Sequence, residues 1–198
     1  MTSDEIKSLQ RGVGVTADGI LGRGTLAAVF RKLGATKYAD ALAFAGNVWM
    51  ADKGILTTKN RFCNFLGQVA HESAGFVYMN EIWGPTKAQL GYEGRKDLGN
   101  TQPGDGKRFA GHGPIQITGR DNHRKFGRLL GIDLEANPEL AADPHVGMIL
   151  ACLYWDDRGL NAKADNDDIL GITKAINGGT NGLDDRKARV AKARSLFV

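Results

Sequence analysis

The chain of 198 residues has two cysteines, five prolines and four histidines, and its apolar runs, such as Met148 to Trp155, fall far short of the roughly 20 residues that cross a bilayer. Two cysteines cannot staple a disulfide scaffold; Cys63 and Cys152 both fall in apolar helical patterns, where a free thiol behaves as a small hydrophobe. No histidine or cysteine pair shows the HExxH or CxxC spacing of a metal site, although His71, His112, His123 and His145 are all available. That absence argues against a zinc amidase, and no metal or other cofactor is expected. No arginine-rich tract and no basic and aromatic interleaving is present, so a nucleic-acid groove is not expected. The first ten residues, MTSDEIKSLQ, carry acids where a secretory signal has basic residues, and no apolar stretch follows. Synthesis is therefore expected to finish in the cytosol, without stable membrane insertion.

What is present is a globular composition, 42% hydrophobic and 24% charged, enough for one core and at most one further small module. The net charge is +4, and residues 1–60 hold eight Lys or Arg against five acids, so +3 of the excess lies in the first third. Such a balance favours a polyanionic partner, which includes cell-wall polymers.

The chain divides by pattern. Ser3 is placed to cap a short helix carrying Ile6 and Leu9, and GVGVTADGILGRG then packs five glycines into thirteen residues, the signature of a tight loop. A second helix opens at Thr25 and carries Leu26, Val29, Phe30 and Leu33 at i, i+3, i+4 and i+7 before Gly34. The helical period resumes from Thr36 with Tyr38, Ala41, Leu42, Ala45 and Trp49, and again with Phe62, Phe65, Leu66, Val69 and Ala70. Residues 80–113 are glycine-rich, charged and without period, and a loop region this long inside a compact domain is usually functional. GPIQITGR supplies the one short β-like run. Further helices are predicted over Asn122–Leu130, Pro144–Asp156 with Asp143 as cap, Ile169–Ile176, and a basic C-terminal stretch through Val190 and Phe197. The architecture is mainly α with a minor β element.

Glu72 ends the fourth of these helices. A carboxyl there is poorly solvated and faces the negative helix terminus, conditions that favour the protonated form a general acid needs.

Four ordered segments, VAHESAGF, YEGRKDLGN, GKRFAGHGPIQITGRDNHRKFG and AINGGTNG, resemble glycoside hydrolase family 19, most closely its phage and prophage endolysin branch. The resemblance runs from about Arg61 to Arg194 and implies an α-rich, lysozyme-like α+β superfamily fold with a central cleft, shared with plant and bacterial chitinases. It implies that Glu72 is the general acid and that a second carboxylate on the following loop activates water. Glu93 of YEGR matches best, with Glu81 and Asp97 as rivals. It further implies that Thr118 helps hold the water, that Gln116, Asn122 and Asn177 contact sugar, and that an arginine of the last helix, Arg189 or Arg186, closes the site. His112 departs from the usual Arg and His123 from a common Tyr.

Leu9, Gln10, Asp18, Gly19, Ile20, Gly22 and Thr25 also resemble a peptidoglycan-binding module found beside cell-wall hydrolases. The expected division is thus a helical hairpin at 1–34 and a family 19 catalytic domain at 35–198. Together the resemblances imply a monomeric endolysin that hydrolyses β-1,4 bonds of peptidoglycan glycan strands by inversion. It would wait in the host cytoplasm until a holin releases it to the wall. Chitinase activity on N-acetylglucosamine polymers is the alternative.

Overall fold

A computed structural model describes all 198 residues. Eleven α-helices follow one another: α1 Ser3–Val13, α2 Arg23–Leu33, α3 Ala39–Asp52, α4 Lys59–Glu72, α5 Lys87–Leu90, α6 Asp105–Arg108, α7 Arg120–Leu130, α8 Pro144–Asp157, α9 Leu160–Asp165, α10 Ile169–Asn177 and α11 Leu183–Arg194. The β element is reduced to two isolated bridges, His112 with Asn80 and His112 with Ile117. None of the helices is long and apolar enough to cross a membrane.

Local chemistry explains most boundaries. Thr2, one residue before the expected Ser3, caps α1 through a reciprocal pair in which its hydroxyl accepts from Glu5 N and the Glu5 carboxylate accepts from Thr2 N. Asp143 caps α8 as predicted, accepting from His145 N and Val146 N, with Pro144 at the first helical position. Helix α2 begins two residues before Thr25, and α11 stops three residues short of Phe197. Helix α9 was not anticipated, because six residues are too few to set up a hydrophobic period.

One core joins both predicted parts. Leu9, Val13, Leu26, Val29, Phe30 and Leu33 of the hairpin lie in the same buried cluster as Phe62, Phe65, Met148 and Trp155. Phe30 packs edge-on to Phe76, and Phe65 edge-on to Trp155. Both cysteines are free and buried, and burial pushes the Cys63 thiol up to about 12.

At the centre, α11 lies against α4 at unusually short range. A side chain at Gly67 would meet Val190 Cγ2 at 2.4 Å and Val190 N at 2.8 Å, so only glycine permits this approach. The approach carries Arg186 of α11 over Gln68 and Glu72 of α4, one and five residues beyond Gly67.

Candidate active site

Helix α4 delivers Glu72 to its C-terminal end, where Ser73 takes over the turn: Ser73 Oγ donates to Val69 O at 2.7 Å and accepts from Phe76 N at 2.9 Å. Glu72 lines a cleft of about 320 Å³ together with Glu81, Tyr92, Ile115, Gln116, Thr118, Tyr154, Ile176 and Asn177. The residues come from the end of α4, the aperiodic loop, the bridged segment, α8 and the end of α10.

The carboxyl of Glu72 faces a cation, where the sequence suggested only an apolar helix end. Arg186 Nη2 donates to Glu72 Oε1, and Arg186 Nη1 donates to Gln68 Oε1 at 2.6 Å. The Arg186 side chain is 2% exposed and that of Glu72 20% exposed, so the pair sits at the inner wall of the cleft. Glu72 Oε2 has no hydrogen-bond partner in the protein and is left for a ligand. Arg189, the other arginine that the resemblance offered, lies one turn away and donates through Nε to Asp185 Oδ2 at 2.6 Å. The same Asp185 oxygen is 2.6 Å from His71 Nδ1. Although burial opposes it, Arg189 and then His71 hold the Asp185 carboxyl below its usual range.

Glu81 is fixed by three donors. Its Oε1 accepts from Gln89 Nε2 at 3.0 Å and from the Tyr92 hydroxyl at 3.3 Å, and its Oε2 accepts from Gly111 N at 2.9 Å. Its backbone N–H donates to Gly111 O at 2.8 Å. A carboxylate offers about four acceptor sites, so about one remains for a molecule in the cleft.

The other two acids considered for this role lie elsewhere. Glu93 is exposed, and both of its oxygens accept from backbone amides, Oε1 from Gly104 N at 2.7 Å and Oε2 from Gly106 N at 2.8 Å. It lines a separate depression with Trp83, Leu90 and Lys107, and the structure brings Glu81 into the cleft in its place. Asp97 pairs with Arg95 at the surface, which holds its carboxyl below the usual range.

Thr118 and Gln116 occupy the floor of the cleft. The Thr118 hydroxyl donates to Gln116 O at 3.0 Å, leaving its lone pairs to accept from a ligand. Gln116 has φ of 56°, a left-handed backbone that few non-glycine residues adopt, and its Nε2 donates to Gly113 O at 2.8 Å. Gly111 makes room for it, since a side chain there would meet Gln116 Oε1 at 2.4 Å. Asn177, the last residue of α10, lines the cleft. Asn122 does not line it; its Nδ2 donates to Thr118 O at 2.7 Å and so supports the floor from behind.

Tyr92 and Tyr154 were not anticipated. Each is one aromatic among several with no spacing to mark it, although Tyr92 stands beside the quoted Glu93. Burial raises the hydroxyl pKa of Tyr92, and neighbouring Glu81 adds to the effect, so it remains a donor. Tyr154 hydroxyl donates to Ile176 O at 3.2 Å and ties α8 to α10 beneath the cleft.

Comparison with known proteins bears on the family and the fold. A glycosyl hydrolase family 19 domain-containing protein of Haemophilus influenzae is 31% identical over 163 residues, covering 68% of this chain and 79% of that protein. Endochitinase A2 of Pisum sativum is 32% identical over 120 residues, and this chain spans only 35% of its length. Among solved structures, chitinase C of Streptomyces griseus superposes with a TM-score of 0.68 at 23% identity, covering 90% of this chain and 95% of that one. A class IV chitinase of Zea mays gives 0.64 at 20%, covering 90% and 93%, so at these identities the two structures speak to the fold. With the chitinase class I family model matching residues 34–174, well over half of its length, the chain belongs to glycoside hydrolase family 19.

Proposed function

We propose that the chain cleaves β-1,4 bonds in the glycan strands of bacterial peptidoglycan by a single inverting displacement, with Glu72 as general acid and Glu81 as general base. The observation that carries the reading is that two carboxylates from different elements line one cleft beside the Thr118 hydroxyl, whose lone pairs remain open to a ligand. Glu72 Oε2, without a protein partner, carries the proton to the leaving glycosidic oxygen. Arg186 then stabilises the carboxylate this transfer leaves on Glu72. A water accepted at the remaining site of Glu81 and steadied by Thr118 loses its proton to Glu81 as it attacks the opposite face of the sugar. Gln89, Tyr92 and Gly111 hold the Glu81 carboxylate in place while it does so. Gln116 and Asn177 are assigned to sugar contacts, Asn122 to the support of Thr118, and Arg189 to the Asp185 anchor.

Peptidoglycan is preferred over chitin because the chain carries a net charge of +4, concentrated in residues 1–60, and peptidoglycan is anionic whereas chitin is not. The hairpin's likeness to a wall-binding module points the same way. In a cell such an enzyme would be held in the host cytoplasm until a holin opened the inner membrane, and lysis would follow. The second reading, chitinase, is favoured by the names of the plant relatives.

Digestion of purified sacculi and of N-acetylglucosamine hexamer in parallel separates these readings. New reducing ends in sacculi, identified by mass spectrometry as muramic acid or glucosamine, and an initial α-anomer by proton NMR are expected. Rapid cleavage of the hexamer with intact sacculi would establish the chitinase reading instead. Activity lost in EDTA and restored by zinc would point to an amidase.

A further inference from the structure

We propose that His112 and His123 form a hydrogen-bonded imidazole pair that positions Glu81, an inference that rests on Glu81 being the base. The two rings stand with Nδ1 of His112 3.0 Å from Nε2 of His123, their planes nearly perpendicular. His123, on α7, is fully buried, and its Nδ1 is 2.9 Å from Gly119 O. A carbonyl only accepts, so Nδ1 of His123 carries the proton and the neutral ring offers Nε2 as acceptor. The pair is then directional: His112 Nδ1–H donates to His123 Nε2, and His123 Nδ1–H donates to Gly119 O.

The backbone on either side of His112 connects this pair to the cleft. His112 exchanges two hydrogen bonds with Ile117, N to O at 3.0 Å and O from N at 2.8 Å, and Gly113 N donates to Met79 O at 2.8 Å. The neighbouring Gly111 is the residue that holds Glu81 twice, through its N–H to the carboxylate and its carbonyl to the Glu81 N–H. No other side chain of the 111–113 segment reaches α7, because the flanking residues are both glycine. The His112 imidazole is therefore the tie that sets the depth of Gly111 against the helix, and with it the position of the Glu81 carboxylate.

The surroundings suit a neutral pair. Burial pushes the His123 ring down to about 4, and burial lowers His112 as well against the opposing pull of Glu139. Phe109 packs 5.3 Å from His123. A site needing only bulk would be filled with an apolar ring, whereas here two polar rings satisfy each other and one carbonyl.

Steady-state kinetics on peptide-free glycan strands from sacculi would test the claim with His112→Ala, His123→Phe and His112→Asn, whose amide nitrogen stands near the place of imidazole Nδ1. Because a displacement near 1 Å at a reacting group is costly, kcat should fall about tenfold or more in the first two variants, with KM within about twofold. His112→Asn should recover most of that loss. Long-range ¹⁵N–¹H correlation spectra should show His123 neutral, in the Nδ1–H tautomer. Unchanged kcat in His112→Ala, equal damage in His112→Asn and His112→Ala, or an Nε2–H tautomer at His123 would overturn the pair's role. An active Glu81→Gln would overturn the base assignment and the positioning with it. An inactive Glu81→Gln beside an unaffected His112→Ala would overturn the positioning alone.

Discussion

Two aperiodic, glycine-rich stretches, the loop between α1 and α2 and the loop from residue 80 onward, are each built around a buried glutamine holding one acid. Gln10 donates through Nε2 to Asp18 Oδ1 at 2.7 Å and to Ile20 O at 3.0 Å, and its Oε1 accepts from Gly19 N at 2.8 Å. Gln89 donates through Nε2 to Glu81 Oε1 at 3.0 Å and to Ile82 O at 2.8 Å, and its Oε1 accepts from Gly84 N at 3.1 Å and Thr86 N at 2.8 Å. The devices are nearly the same, yet Asp18 turns back on its own loop, accepting from Ile20 N at 2.8 Å, while Glu81 faces a cleft that also holds Glu72. The backbone bond from Ile20, and then Gln10, holds the Asp18 carboxyl below its usual range. What separates Glu81 from Asp18 is the open cleft beside it and the second acid that lines that cleft.

The largest effect expected from this contrast is on activity alone. Glu81→Gln should lower kcat by about two orders of magnitude or more, as loss of a general base does, while the melting temperature stays close to that of the parent. Asp18→Asn, the matching change in the other loop, should leave kcat within about twofold, since nothing links Asp18 to the cleft. Comparable losses in both variants would show that the two loops are coupled and that the contrast is drawn in the wrong place.

The next effect is on stability. Removing the side chain of Gln10, which is 1% exposed, strands Gly19 N and Thr25 Oγ1 and should cost about 2 kcal/mol. Thermal or urea unfolding of Gln10→Ala would measure it, with kcat on soluble glycan unchanged below the transition. Gln89→Ala should show the converse emphasis, with kcat down about tenfold from a loosened Glu81. Because Leu9, Leu26 and Phe30 sit in the common core, deleting residues 1–34 would uncover it. The proposal that the hairpin binds the wall is better probed at Ile20, which is 70% exposed.

The helical body could be read from the sequence because its signals are local. The i, i+3, i+4 apolar stripes, Asp143 with Pro144, and Gly34 after α2 each act within one or two turns. Glu72 at the end of α4 was found the same way. The acid proposed as its partner, Glu81, stood in the sequence only as a rival to Glu93, because the path from residue 80 to 113 is set by contacts between residues far apart, such as Gly111 with Glu81 and Asn100 with Arg120. A carboxylate's role there depends on which amides it meets in space, and spacing along the chain carries little of that. Arg186 and Arg189 lie three residues apart on one helix, and which of them reaches Glu72 depends on how α11 is set against α4, where it packs closely at Gly67. The resemblance of Gln10, Asp18, Gly19, Ile20 and Thr25 to a binding module rests on residues that tie the loop together, so those residues by themselves describe a fold.

The smallest effect is expected at Glu93, the acid that sequence reasoning preferred. Its carboxylate accepts from Gly104 N and Gly106 N and so fastens the start of α6 to the end of the preceding turn. Gly106 must be glycine for this, since a side chain there would meet Glu93 N at 2.7 Å. Glutamine at this position keeps one acceptor oxygen but presents an amide NH₂ to the other backbone N–H, trading a charge-assisted bond for a repulsive contact. Glu93 is exposed, so water can take over the lost bond and the cost should be about 1 kcal/mol or less. Activity of Glu93→Gln should stay within about threefold of the parent, measured on the same glycan strands as Glu81→Gln and with unfolding followed in parallel. Should Glu93→Gln be inactive at unchanged stability while Glu81→Gln turns over, the loop must rearrange on binding glycan so that Glu93 leaves its two amides and enters the cleft.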